Sequence, residues 1–99
     1  MRALLIAAAL FAAPVPALAQ APAAATSLTL ADTATAPARA TIIDGARWSC
    51  EGATCTASGG SEQPATRACR RAVQRLGPVT SFSWKGEVLT DEQIAACNA

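Results

Sequence analysis

The 99-residue chain has no histidine and no tyrosine, only two tryptophans and two phenylalanines, and charged side chains at 15% of positions. Without histidine, it lacks the side chain most often used as a general base near neutral pH and the commonest nitrogen ligand for metals. No Cys-x-x-Cys pair opens a helix to lower a thiol pKa, which disfavours thioredoxin-like chemistry. Among carboxylates, Glu51, Asp91 and Glu92 are the candidates for acid and base work. Their places, at a turn and in the first turn of a helix, are accounted for by capping and the helix dipole. The reading is a protein that is not an enzyme and needs no cofactor.

Long apolar runs are also missing. The opening MRALLIAAALFAAPVPALAQ has one basic residue, Arg2, an apolar run from Ala3 to Ala13, and Ala17-Leu18-Ala19. Such a run is too short for roughly 30 Å of hydrocarbon, and the small residues at Ala17 and Ala19 suit signal peptidase. Residues 1–19 therefore read as a signal peptide cleaved before Gln20, with no transmembrane anchor afterwards and a periplasmic or secreted destination. Losing Arg2 from the eight Lys and Arg leaves seven basic residues against seven acidic ones. That balance argues against nucleic acid as a partner.

Residues 20–40 are rich in Ala, Thr and Pro and offer few large side chains to bury, so they read as a flexible segment. Within it, Ser27 to Ala31 suits an edge strand. A small domain, residues 41–99, follows. Asp44-Gly45 favours a two-residue hairpin loop, which sets Ile43 opposite Ala46 and Thr41 opposite Trp48. A second reversal over Glu51 to Thr54 pairs Cys50 with Cys55 and Trp48 with Ala57. Period-two alternation puts Ile43, Ala46, Trp48, Cys50, Cys55 and Ala57 on one face of a three-stranded meander.

Ser58-Gly59-Gly60 reads as a flexible link. The stretch SEQPATRACRRAVQRLGP then carries helix punctuation: Ser61 as a capping candidate, Pro64 in the first turn, and Gly77-Pro78 past the end. Its inward arc is Ala65, Ala68, Cys69, Ala72, Val73 and Leu76. Phe82 and Trp84 alternate on a strand that turns at Lys85-Gly86 into Glu87-Val88-Leu89. Thr90 with Gln93 forms a capping box, and Leu89 staples onto Ile94 over a short last helix. The fold class is α+β: a small disulfide-stabilised domain with a β-meander, a helix, a β-hairpin and a short C-terminal helix. Its expected core is Ile43, Trp48, Val73, Leu76, Phe82, Leu89 and Ile94.

Four cysteines, Cys50, Cys55, Cys69 and Cys97, in a small exported domain point to a disulfide framework. Four cysteines allow three connectivities. Opposed strand positions favour Cys50 with Cys55, leaving Cys69 with Cys97 between two helices. Zinc is the rival, but the spacing C-x4-C-x13-C-x27-C lacks the paired close knuckles of common ribbons. The outward arc of the long helix gathers Arg67, Arg70, Arg71 and Arg75. This is a candidate anion-binding face for phosphate or carboxylate groups of an envelope polymer or partner protein, against the plainer reading of a solvated helix face. The two tryptophans read as core, with a ligand-stacking role for one of them as the alternative.

The motif W-x-C-x-G-x-x-C, a cysteine early in an amphipathic helix, G-P-V-T-S-F, G-x-x-L and a terminal C-N resemble an uncharacterised family of short exported alphaproteobacterial proteins. These positions are Trp48, Cys50, Gly52, Cys55, Cys69, Gly77 to Phe82, Gly86, Leu89, Cys97 and Asn98. The resemblance spans roughly Ser27 to Asn98 and implies export and a two-disulfide domain, with no catalytic residues. The functional expectation is an exported, non-enzymatic protein that binds a partner or an envelope component. The alternative is a disulfide-stabilised inhibitor of an exported protease or muramidase, presenting the loop from Glu51 to Thr54.

Overall fold

The computed structural model describes residues 25–99; the signal peptide expected at residues 1–19 and residues 20–24 of the expected flexible segment lie outside the described residues. Six strands and two helices follow: β1 Ser27–Leu30, β2 Thr41–Ile43, β3 Ala46–Glu51, β4 Thr54–Gly59, α1 Ala65–Leu76, β5 Val79–Trp84, β6 Glu87–Val88 and α2 Asp91–Asn98. The strands form one antiparallel sheet in the order β2-β3-β4-β1-β5-β6. Both helices pack on one of its faces, an α+β arrangement.

The meander forms in the expected register, with Ile43 opposite Ala46, Trp48 opposite Ala57 and Cys50 opposite Cys55. Asp44 and Gly45 both take positive φ, 51° and 83°, and Lys85 with Gly86 repeats the pattern at 50° and 93°. Two successive positive φ values define the type I′ turn, whose twist matches that of the strands it joins.

Three local expectations are corrected. The strand at Ser27–Leu30 is not at an edge: it lies inside the sheet, hydrogen-bonded to β4 on one side and β5 on the other. The folded unit therefore includes this strand and does not begin at Thr41. The cause is burial, since Leu28 and Leu30 are 1% and 3% exposed and their alternation fills the middle of the core. Ser58 and Gly59, expected as a flexible link, extend β4 by pairing with Arg47 and Ala46. The cap of α1 is Pro64, not Ser61, and no side chain caps it. The Pro64 carbonyl instead accepts from the amides of Arg67 and Ala68, both at 3.0 Å. Ser61 turns its own amide to the Asp44 carbonyl at 2.9 Å.

One core joins sheet and helices. Trp48, Cys55 and Cys69 are fully buried, and Phe82, Leu28, Ala65 and Ala72 nearly so, while Val73 is half-buried at its border. Phe82 lies between the two tryptophans, its ring centroid 6.0 Å from that of Trp48 and 6.5 Å from that of Trp84. Aromatic burial of this kind supplies much of the apolar area available to a domain so poor in aromatics. The Thr90–Gln93 capping box is formed in both directions, and Leu89 and Ile94 on either side of it are buried.

The end of α2 is tied to the start of β5 by Asn98. Its Oδ1 accepts from the Val79 amide at 2.9 Å and its Nδ2 donates to the Val79 carbonyl at 2.7 Å. The side-chain amide thus stands in for one residue of a neighbouring strand. Asn98→Ala leaves both backbone groups without this partner in a part-buried place. The expected cost is about 2 kcal/mol, read as a lower urea midpoint; an unchanged midpoint would show that water replaces the amide without loss.

Candidate functional site

The four arginines of α1 are all exposed, but they do not act as one cluster. Arg71 is held by Asp44 at the β2–β3 turn through two bonds, Nε to Oδ2 at 3.2 Å and a terminal nitrogen to Oδ1 at 3.1 Å. Gln63 donates to the same Oδ2 at 3.2 Å. These bonds, Arg71 first and Gln63 second, hold the Asp44 carboxyl below its usual pKa, with a further contribution from the charge of Arg67. The same bond raises the Arg71 pKa. The candidate anion-binding face is thereby reduced to Arg67, Arg70 and Arg75, because Arg71 serves to fasten the hairpin to the helix.

The favoured carboxylate form gives this contact a pH dependence. Its stabilisation is full above the ordinary aspartate pKa of about 3.9, and it is lost as pH falls through the lower folded-state value. Asp44→Asn keeps a residue that tolerates positive φ. This variant is expected to melt below the wild type at pH 7 and to converge with it near pH 2. A gap of constant size across that range would mean that the charge of Asp44 contributes nothing. Lys85 forms a second clasp, donating to the Gly60 carbonyl at 2.6 Å and to Glu62 at 2.8 Å, and it lowers the Glu62 pKa.

The four cysteines form two disulfides, Cys50–Cys55 and Cys69–Cys97, with Cα separations of 3.9 and 6.0 Å. No thiol is left free. Among the described residues no group of three or more His, Cys, Asp or Glu gathers to hold a metal ion. Both tryptophans are buried in the core, Trp48 at 0% and Trp84 at 4% exposure, so neither ring offers a surface for stacking.

The feature that sequence reasoning missed is the sheet face away from the helices. On β1, β4 and β5 an inward apolar or small residue alternates with an outward small polar one, while β3 also turns out Arg47 and Glu51, and β2 and β6 turn out Ile42 and Val88. Because the strands are in register, the outward hydroxyls form ranks. Ser49 lies opposite Thr56, Thr56 opposite Ser27, and Ser27 opposite Ser83. A second rank runs Glu51, Thr54, Thr29 and Ser81. Neighbours in a rank stand about 4.8 Å apart and the ranks about 6.8 Å apart along the strands.

Ser81 Oγ donates to Thr29 Oγ1 and Ser83 Oγ to the Ala25 carbonyl, both at 2.9 Å. The hydroxyls of Ser27, Ser49, Thr54 and Thr56 bond to no other described residue. Three shallow depressions lie on this face: one beside Ser27, Ser83 and Val88, one between Glu51 and Thr56, and one beside Arg47 and Ser58. The signal was present in the alternations SLTL, RWSC, TCTA and SFSW, but it becomes a surface only once the strand order is known.

These features define a class: a small two-disulfide α+β domain with helices on one face of its sheet and an open, hydroxyl-rich surface on the other. The chain belongs to a family of unknown function, DUF8200, which it matches over residues 6–99. No curated protein and no solved structure matches it.

Proposed function

We propose that the protein is exported through a cleaved leader and acts outside the cytoplasm as a non-enzymatic binding protein of the cell envelope, with the open sheet face as its contact surface. The ranked hydroxyls carry this reading, because they form a broad polar surface with few charges at its border. Export is supported by the leader-like N-terminus, by the two disulfides and by the likeness of the W-x-C-x-G-x-x-C motif to exported alphaproteobacterial proteins. Among the described residues no helix is long and apolar enough to cross a membrane.

The first measurement is the intact mass of protein recovered from the periplasm of an expressing cell, alkylated without reductant. A mass that begins at Gln20, four hydrogens light and unalkylated, is the expected result. Recovery from the cytoplasm with reduced thiols would overturn the reading. Envelope fractionation follows, in which a binding protein should sediment with membrane or peptidoglycan.

A second reading, an inhibitor of an exported protease or muramidase, is supported by the Cys50–Cys55 bridge set directly behind the turn at Gly52-Ala53. That reading predicts a soluble protein that forms a tight complex with one enzyme and does not sediment with the envelope.

A further inference from the structure

We propose that the open sheet face binds peptidoglycan, with the ranked hydroxyls of β3, β4, β1 and β5 along the sugar chain and Arg47 and Glu51 on its peptide branches. The inference rests on the envelope-binding reading above and supplies its ligand.

The composition of the face selects the ligand. Across β4, β1 and β5 the outward residues of the two ranks are Thr54, Thr56, Ser27, Thr29, Ser81 and Ser83, with no charge among them. A surface for anionic polymers such as lipid phosphates or nucleic acid would need lysine or arginine there. A surface for apolar partners would need contiguous exposed large side chains, and the two on this face, Ile42 and Val88, stand on opposite edge strands with the hydroxyl band between them. Hydroxyls repeating in two directions suit an uncharged chain that offers hydrogen-bonding groups at every unit. Linked sugar rings carrying hydroxyl and acetamido groups are such a chain.

The charge on the face is confined to β3, where Arg47 and Glu51 stand two residues to either side of Ser49. Both are exposed, and neither forms an ion pair with another described residue. Four residues of strand separate them by roughly 13 Å. One cation and one anion at the border of a neutral band complement a glycan whose short branches carry both carboxylate and amine groups. A plain neutral polysaccharide gives them nothing to pair with. Each hydroxyl contact replaces one made to water and yields little net free energy. Binding should therefore be weak to a single disaccharide and stronger on an extended chain, whose successive units engage several hydroxyls of one copy at once.

The test uses the full mature protein, oxidised, mixed with purified sacculi and in parallel with chitin, which shares the acetamido-sugar backbone but has no peptide. Expected are retention on sacculi at least roughly tenfold above that on chitin, a loss of roughly tenfold for Arg47→Glu, and a similar loss for Thr56→Arg. Thr56→Val, which keeps the shape and strand preference of the residue while deleting its hydroxyl, covers the case in which Thr56→Arg does not fold. Gln74→Glu on the exposed side of α1 should bind as the wild type does. The proposal is overturned by equal retention on chitin, by no retention on sacculi, or by full retention of folded face variants. Sedimentation with membranes but not with sacculi would leave the envelope reading standing and remove peptidoglycan as the ligand.

Discussion

Replacing Cys69 and Cys97 together by alanine is expected to lower stability by about 3.5 kcal/mol, whereas the same change at Cys50 and Cys55 costs about 2 kcal/mol. The difference follows first from loop length: the bridges close 28 and 5 residues of sequence separation, and a longer loop holds more entropy in the unfolded chain. It follows also from what each bridge supports. The short one spans two strand residues already opposed by the ladder and closed by a two-residue turn. The long one joins α1 to α2, a helix of eight residues whose buried side chains are Ile94 and Cys97.

A helix so short does not hold its shape without tertiary contacts. When α2 loosens, Asn98 also leaves Val79. With a urea slope of about 1 kcal/mol/M, the loss of the long bridge moves the midpoint by about 3.5 M, enough to leave a domain of this size largely unfolded in buffer. Fluorescence of the buried Trp48 and Trp84 reports the transition. Equal costs for the two bridges, or the reverse order, would show that loop closure does not control the stability of this fold.

Features encoded by near neighbours were legible before the structure. Asp44-Gly45 states its turn type, Lys85-Gly86 marks a reversal, the register of the meander follows from the first of them, and Thr90 with Gln93 announces the start of α2. The cysteine pairing followed from that register. What could not be read are relations between distant segments. The alternation of Ser27 to Leu30 shows which side chains face inward but not how many neighbours the strand has, and so an interior strand looks the same as an edge strand. Asn98 and Val79 are 19 residues apart, and only the fold brings the amide to the backbone. Arg71 looked like part of a basic face because Asp44 lies 27 residues away.

Most residues of the motif W-x-C-x-G-x-x-C and of the later G-P-V-T-S-F, G-x-x-L and C-N now have structural explanations. Trp48 and Phe82 fill the core, the cysteines bridge, Gly86 completes a type I′ turn, Leu89 is buried before α2, and Asn98 holds β5. Of the motif's side chains, Ser81 is the one that stands in the outward ranks of the open sheet. Apart from Ser81, the motif therefore describes the scaffold.

Gly60→Ala is expected to be about as damaging as the loss of the long disulfide, from one methyl group. Gly60 has a φ of 107°, which is costly for any residue with a Cβ. The added Cβ would also lie 2.6 Å from Cη2 and 2.9 Å from Cζ2 of Trp84, and 3.2 Å from the Cβ of Ala46. Trp84 is 4% exposed and stacked parallel to Phe82 at an interplanar angle of 8°, so its ring can yield only by disturbing the aromatic row. Backbone strain and overpacking together come to about 3 kcal/mol or more.

Gly52 provides the control. It too has positive φ, 62°, but nothing lies within 4 Å of its would-be Cβ, and Gly52→Ala should cost only the backbone part, about 1 kcal/mol. The contact with the ring is isolated by a double-mutant cycle with Trp84→Phe. The smaller ring lacks the atoms that the new methyl meets, and it also removes the indole N–H, which has no hydrogen-bond partner in the core. If overpacking against Trp84 is the larger part of the damage, Gly60→Ala costs at least about 1 kcal/mol less in the phenylalanine background than in the wild type. Equal costs in the two backgrounds would assign the whole effect to the backbone at Gly60 and leave Trp84 without a part in it.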